Sequence, residues 1–269
     1  RFGIRDMTAT SDLDLMVIFE PHEGVSAAHF FAKATQSLIT ALSAQTEEGF
    51  LYEADMALRP SGRAGPVAVR LSAFSDYYEN EAWTWEHMAL TRLRVITGDP
   101  DLAIKVTAEK ERLLSLHRDR EKVRKNALDM RQRLLREKPP RHSFDFKRVK
   151  GGLMDIDFLM QASQIMFPSH EWGNRSHNEI SVLAATGMFT ESEVAQLLSA
   201  QTYMRALLAL ERAALDGSGA GEDWPPALQA RAAALLAEDS FKTLLDRVDR
   251  AQTSVWTIFC EKMQPNATE

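Results

Sequence analysis

An α+β fold followed by a purely helical region is predicted for this 269-residue chain. Three observations predict it. Short β-favouring runs occur only before Leu71, an amphipathic stretch separates the first two, and beyond Asp99 the chain carries helix caps and charged runs without strand alternation. The expected division is therefore an α+β domain over residues 1–99 and a helical bundle over residues 100–269.

The first element is a strand over Leu13 to Phe19, an apolar run that ends at Glu20 and Pro21. From Ser26 to Thr46 the pattern turns helical, with Phe30, Ala34, Leu38 and Leu42 forming one apolar stripe that can pack on a sheet. Gly49 ends that helix, and Phe50 to Leu58 reads as a second strand. Arg59 to Pro66 is a loop by its Pro and Gly content, and Val67 to Arg70 is a third, short strand. Residues Glu81 to Ile96 read as a helix closed by Gly98. Asp99 and Pro100 then supply an N-cap and a first-turn proline for a long charged helix that reaches about Glu137, where Pro139 and Pro140 stop it. Ser176 with Glu179, and Thr190 with Glu193, have capping-box spacing. Further helices are expected over Thr190 to Leu215, Pro226 to Ala237 and Ser240 to Met263.

Composition narrows the function classes. A formal net charge of -6 argues against general affinity for nucleic acid, which rests on an excess of Lys and Arg. The single thiol, Cys260, excludes an intramolecular disulfide framework and a zinc site built on several thiolates. No apolar run approaches the ~20 residues needed to span a bilayer, and no signal-peptide pattern precedes the first strand. No membrane association is expected, and the expected location is cytoplasmic. The seven histidines include no His-x-x-x-His pair, and neither a Gly-x-Ser-x-Gly elbow nor a Walker A loop is present.

The most informative residues are Ser11, Asp12, Leu13, Asp14 and Leu15. In a strand, residues two apart share a face, so Asp12 and Asp14 project together while Leu13 and Leu15 turn to the core. Adjacent carboxylates repel, and a hard divalent cation such as Mg2+ relieves that repulsion. The same spacing also suits an ordinary solvated strand entrance. Asp55 sharpens the reading, because a charge in the middle of a strand needs a partner or a cation if it is buried. A neighbouring strand could bring it beside Asp12 and Asp14. Three carboxylates on adjacent strands can hold two metal ions.

SDLDLMV, then YEADMALRPSGRAGP, then AWTWEHMALTR, resemble successive blocks of the glutamine synthetase adenylyltransferase family. VRKNALDMRQRL and FDFKRVKGGLMDIDFLMQ continue the similarity, which runs from about Gly3 to Leu215 with the blocks in the family's order. The resemblance implies a DNA polymerase beta-type nucleotidyltransferase domain followed by the helical bundle. It implies ATP as substrate with two Mg2+ ions, and Asp12, Asp14 and Asp55 as catalytic metal ligands. Ser11, Arg59, Ser61, Gly62 and Gly65 would lie near the nucleotide, and Lys147 would join them. Glutamine synthetase and a PII-type nitrogen signalling protein are the implied partners.

Family members carry two such halves, one attaching AMP to a tyrosine of glutamine synthetase and one removing it by phosphorolysis. AWTWEHMALTR resembles the attaching half. The sequence departs from the family in two places. Gly3 is followed by Ile4 where a second glycine is common, as expected of a chain cut short in the glycine-rich approach to the first strand, and Asp157 stands where Glu is usual. Three alternatives stay open: the removing reaction, a non-catalytic module that binds glutamine synthetase or the PII-type protein, and a transferase acting on a small molecule.

Weaker signals surround these blocks. Thr84, His87, Thr91 and Arg94 form a polar stripe, either a solvated helix face or a flank of the site on which Arg92 or Arg94 meets phosphate. Residues Arg118 to Lys150 are rich in Lys and Arg, a pattern that usually marks a solvated face. Lys147 stands out there because Gly151 and Gly152 follow it closely. Asp155 and Asp157 suit the first turn of a helix on dipole grounds alone.

Overall fold

The computed structural model describes every residue except 1–2, 4–6, 8–10, 22–26, 48, 50–51, 169–171, 173–179, 216–222 and 266–269. The Ser176 and Glu179 pair therefore lies outside the described residues. The chain forms two compact units, residues 1–116 and 117–269.

In the first unit, the expected single strand is two short ones, β1 (Leu13–Asp14) and β2 (Val17–Phe19). The chain changes partner between them. β1 pairs in parallel with β3 (Ala54–Asp55), and β2 pairs in parallel with β4 (Ala68–Arg70). Among the described residues, the expected strand over Phe50 to Leu58 is regular only in β3, because the chain turns at once: the Asp55 carboxylate accepts the Ala57 N–H at 2.8 Å. No strand follows Arg70 among the described residues.

The helix α1 (Ala27–Leu42) makes the crossover that a parallel pair requires. Its buried stripe differs from the expected one. Ala27 and Thr35 are buried and Phe31 stacks on Phe19 with ring centroids 4.7 Å apart, whereas Phe30 is 61% and Leu38 46% exposed. Two stripes with four-residue spacing run side by side on this helix, and contact with Phe19 and Ala68 selects the one through Phe31.

The expected helix from Glu81 to Ile96 is also re-partitioned. A helix α2 (Leu71–Asn80) follows β4 directly, and α3 is confined to Thr84–Leu90. The Glu86 carboxylate accepts the Trp83 N–H at 2.8 Å and so fixes the start of α3. α4 (Pro100–Ser115) begins as expected, with the Asp99 carboxylate accepting the Leu102 N–H. It packs on α2 and α3, which is why the first unit extends to Leu116 rather than ending at Asp99.

The long charged helix is interrupted after Ser115. Asp119 caps a new helix, α5 (Arg120–Glu137), by accepting from the Glu121 and Lys122 N–H groups. The second unit continues with α6 (Leu153–Met166), α7 (Glu191–Ala214), α8 (Pro226–Leu235) and α9 (Phe241–Met263). The Thr190 and Glu193 capping box forms as expected. α9 packs against α5, α6, α7 and α8. Its Leu244, Val255 and Phe259 are fully buried with Phe146, Ile156, Leu159 and Met204.

An ion pair lies inside this apolar core. The Arg131 guanidinium meets both oxygens of Asp155, and both side chains are excluded from solvent. Arg131 also donates to the Arg148 and Val149 carbonyls at 2.9 Å, and Asp155 accepts the Gly151 N–H at 2.7 Å. Asp155 thus has a structural partner beyond its first-turn position. Gly151 is required as glycine: its φ is +73°, and a Cβ there would sit 1.7 Å from the Gln252 carbonyl oxygen.

Two predictions follow from buried charge. Arg131→Met leaves the Asp155 carboxylate buried without its cation, and is expected to destabilise the second unit by about 3–5 kcal/mol in urea unfolding. In the first unit, Lys110 donates to the Leu93 carbonyl at 2.8 Å, and burial pushes its ammonium down to about 8 from 10.5. Because the folded form loses this proton first, the desolvation cost present below pH 8 disappears as pH rises toward 10.5, and stability rises with it. Urea melts across that window should therefore give Lys110→Met a shallower pH dependence than the parent, by on the order of 2 kcal/mol.

Candidate active site

Parallel pairing brings two of the three expected carboxylates together. Leu13 lies opposite Ala54, and Asp14 opposite Asp55. Backbone bonds set this register: the Leu13 N–H donates to the Glu53 carbonyl at 2.8 Å and the Leu15 N–H to the Asp55 carbonyl at 2.9 Å. Leu13 is 6% exposed, while Asp12 and Asp14 on either side of it are exposed, as strand alternation requires. Ser11, next to Asp12, is buried.

Among the described residues there is no group of three or more His, Cys, Asp or Glu side chains arranged to hold a metal ion. What the strands supply is an aligned carboxylate pair with Asp12 two residues before it. Those oxygens have the chemistry of a Mg2+ site of the kind completed by substrate phosphates, not of an all-protein cage. One Asp55 oxygen is already directed to the Ala57 N–H, which fixes the carboxylate's orientation at the strand end.

The loop leaving β3 is built around Arg59. This side chain is only 7% exposed, and its guanidinium turns back into its own loop. Nη1 donates to the Met56 carbonyl at 2.6 Å, Nη2 to the Arg63 carbonyl at 3.2 Å, and both Nε and Nη2 to the Gly65 carbonyl at 3.2 Å. The chain turns through two successive left-handed residues, Ser61 at φ 58° and Gly62 at φ 54°. Gly65 has no room for a side chain, since a Cβ would lie 2.1 Å from the Pro60 carbonyl oxygen. The expected nucleotide loop is thus a closed, internally bonded turn, with Arg59 at its centre.

Gly3 and Arg94 are joined as well: Arg94 Nε donates to the Gly3 carbonyl at 2.8 Å, and a Cβ on Gly3 would meet the Arg92 carbonyl oxygen at 1.8 Å. Glycine at position 3 therefore allows close passage past the end of α3. The imidazole of His87 lies between the Trp83 and Tyr78 carbonyls, at 3.1 and 2.7 Å, so it serves the packing of α3 on α2. Lys147 is exposed on a turn of the second unit, and Asp157 is half-buried in α6.

Sequence reasoning missed two residues next to the loop. The Tyr77 hydroxyl donates to Glu86 Oε1 at 2.7 Å. Burial and the neighbouring Glu86 carboxylate push this phenol up to about 12. Glu86 is 6% exposed. The available signal was its position three residues after Trp83, the spacing at which a carboxylate reaches back to cap a helix.

Fold and site together define a two-unit protein whose α+β unit carries an acidic parallel strand pair running into a tight glycine-containing loop. Comparison with known proteins is specific. Residues 1–109 match the family model for glutamate-ammonia ligase adenylyltransferase, and residues 120–210 match that for GlnD PII-uridylyltransferase. A bifunctional glutamine synthetase adenylyltransferase/adenylyl-removing enzyme from Mesorhizobium japonicum is 40% identical over 239 residues, 85% of this chain and 24% of the relative. The protein of the same name from Bradyrhizobium diazoefficiens is 36% identical over 271 residues, 96% of this chain and 27% of the relative. The chain belongs to the glutamine synthetase adenylyltransferase family, and it spans about a quarter of the length of these curated relatives.

The Arg59 network yields a stability prediction. Arg59→Ala removes the donors to three carbonyls in one turn and should lower the stability of the first unit by about 2–3 kcal/mol. Chemical denaturation measures this, and a change below about 0.5 kcal/mol would show that the turn holds without its guanidinium.

Proposed function

We propose that the first unit transfers an adenylyl group from ATP to a tyrosine hydroxyl of glutamine synthetase. The observation that carries this reading is the register pairing of Asp14 with Asp55 at the point where β3 enters the Arg59 to Gly65 loop. Asp12, Asp14 and Asp55 would hold Mg2+, whose chemistry here is neutralisation of phosphate charge and acidification of the attacking hydroxyl. The carboxylates orient the triphosphate by presenting hard oxygens from two adjacent strands. Ser61, Gly62 and Gly65 let the backbone approach phosphate oxygens closely, because no bulky side chain stands in the way. Arg59 keeps that backbone in shape from within. Lys147 is proposed as a further phosphate contact. The contribution of the chain is chiefly positioning and charge.

The relatives' name covers attachment and removal of the adenylyl group alike, so phosphorolytic removal is the second reading and would use the same carboxylates. Similarity of residues 120–210 to a PII-uridylyltransferase model supports a PII-type nitrogen signalling protein as a partner of the second unit. No helix among the described residues is long and apolar enough to cross a membrane, which is compatible with a cytoplasmic enzyme.

Mixing the chain with ATP, Mg2+ and glutamine synthetase, and looking by intact mass for an AMP adduct on the synthetase, tests the reading directly. Loss of AMP from pre-adenylylated synthetase in the presence of phosphate identifies the removing reaction instead. Asp55→Asn is expected to cut the rate by about a hundredfold or more while much of the ATP affinity remains, since Asn preserves packing but removes one anionic ligand. Transfer at a near-parental rate would remove Asp55 from the metal site.

A further inference from the structure

The second unit holds a cavity of about 380 Å3, a size that suits a small molecule. Its wall forms where three pieces of chain meet: the turn into α5, the end of α6 with the residues after it, and a 3-10 segment, Ile180–Thr186. Charge and apolar surface come from different pieces. His117, Arg118 and Arg120 belong to the first, whereas Met166, Phe167, Trp172 and Val182 belong to the other two.

The neutral polar groups of the wall are already used. Trp172 Nε1 donates to the Phe167 carbonyl at 2.7 Å, so the indole turns apolar surface to the cavity. The Thr186 hydroxyl donates to the Leu183 carbonyl at 2.7 Å and accepts the Met188 N–H at 3.2 Å. Arg120 is held at one end only. Its Nε donates to the Met166 carbonyl at 3.1 Å and its guanidinium carbon lies 4.1 Å from the Phe167 ring centroid, while neither terminal nitrogen bonds a described residue. Among the described residues no carboxylate lines the cavity, and none pairs with Arg120. Asp119, between two of the cations in sequence, is taken up by the first amides of α5. Burial also draws the Arg118 guanidinium below its usual range, a cost that an anion beside it would offset.

We propose that this cavity binds a small organic oxyanion, a carboxylate or phosphate monoester with an apolar body: the head group meets Arg118 and Arg120, and the body packs on Met166, Trp172 and Val182. None of these residues belongs to the nucleotide site proposed in the first unit. The wall selects for both parts of such a ligand. A guanidinium offers two parallel N–H groups to two oxygens of one head group. An inorganic anion would use the cations and leave the apolar wall wet, and a neutral apolar molecule would leave the cations unused. A ligand with both parts bridges the start of α5 to the end of α6, and so stabilises the second unit by mass action.

Isothermal titration of the 269-residue chain with phenyl phosphate and with phenylacetate tests the proposal, with inorganic phosphate and benzyl alcohol as controls that carry one feature each. At least one of the two organic anions should bind at one site per chain with a dissociation constant below about 10 mM, and about tenfold more tightly than either control. Whichever is preferred upholds the site and assigns its head group. Arg120→Met keeps a side chain over Phe167 but removes the charge, and should weaken binding about tenfold. Ala185→Phe leaves all three cations in place and fills the cavity from an exposed position in its wall, and should weaken binding as much. The absence of saturable binding by either organic anion overturns the proposal, as does binding that survives either substitution. Equal affinity for inorganic phosphate overturns it too, because the cations would then act as a surface cluster. Equal affinity for benzyl alcohol does the same, since the head group would contribute nothing.

Discussion

The parallel pairing of Leu13–Asp14 with Ala54–Asp55 is the constraint on which the candidate site depends. A one-residue slip would turn Leu13 outward and Asp14 into the core, exchanging an apolar contact for a buried carboxylate. The register is narrow, only two residues long, and it depends on the packing around it. α1 supplies the crossover and packs on β4, while the Phe31 ring stacked on Phe19 ties that helix to the neighbouring strand pair. Parallel geometry is what places two carboxylates side by side at one strand end, and the loop that follows inherits its starting point from them.

Charge is used unusually far inside this chain, and magnitudes separate what matters from what does not. Exposed pairs such as Lys105 with Glu20 sit in solvent and are screened by salt, so they add little. The buried groups are of another order. Arg59, Glu86 and the Arg131–Asp155 pair are all nearly excluded from water, and each is satisfied by several hydrogen bonds. Removing one partner of such a group costs several times more than a surface pair provides, because the charge that remains has no solvent. In each case at least one bonded group is a backbone carbonyl or amide at a turn or a helix start, so these side chains also fix the backbone beside them.

That pattern explains which parts of the chain were readable from residue order. Two helix starts were legible from local caps: Asp99 before Pro100 and Thr190 with Glu193 stand as expected, because capping uses side chains within three residues of the amides they satisfy. Element limits were less legible. The break between α4 and α5 turns on Asp119, a cap hidden inside a charged run, and α2 was missed because its buried Phe74 and Tyr78 acquire meaning only against the sheet. The stripe of α1 was misassigned for the same reason, since two adjacent stripes satisfy the same periodicity.

The sequence by itself determined that strands lie only before Leu71 among the described residues, that helices follow, and that the strand entrance at Asp12 and Asp14 is acidic. These depend on local spacing, capping and composition. Only tertiary structure decided that Asp55 is the register partner of Asp14, that Arg59 faces its own loop, and that the Tyr77 hydroxyl meets Glu86. Such pairings join residues whose separation along the chain carries no periodic signal. They are selected by which faces can be buried together and by the demand that every buried donor and acceptor find a partner.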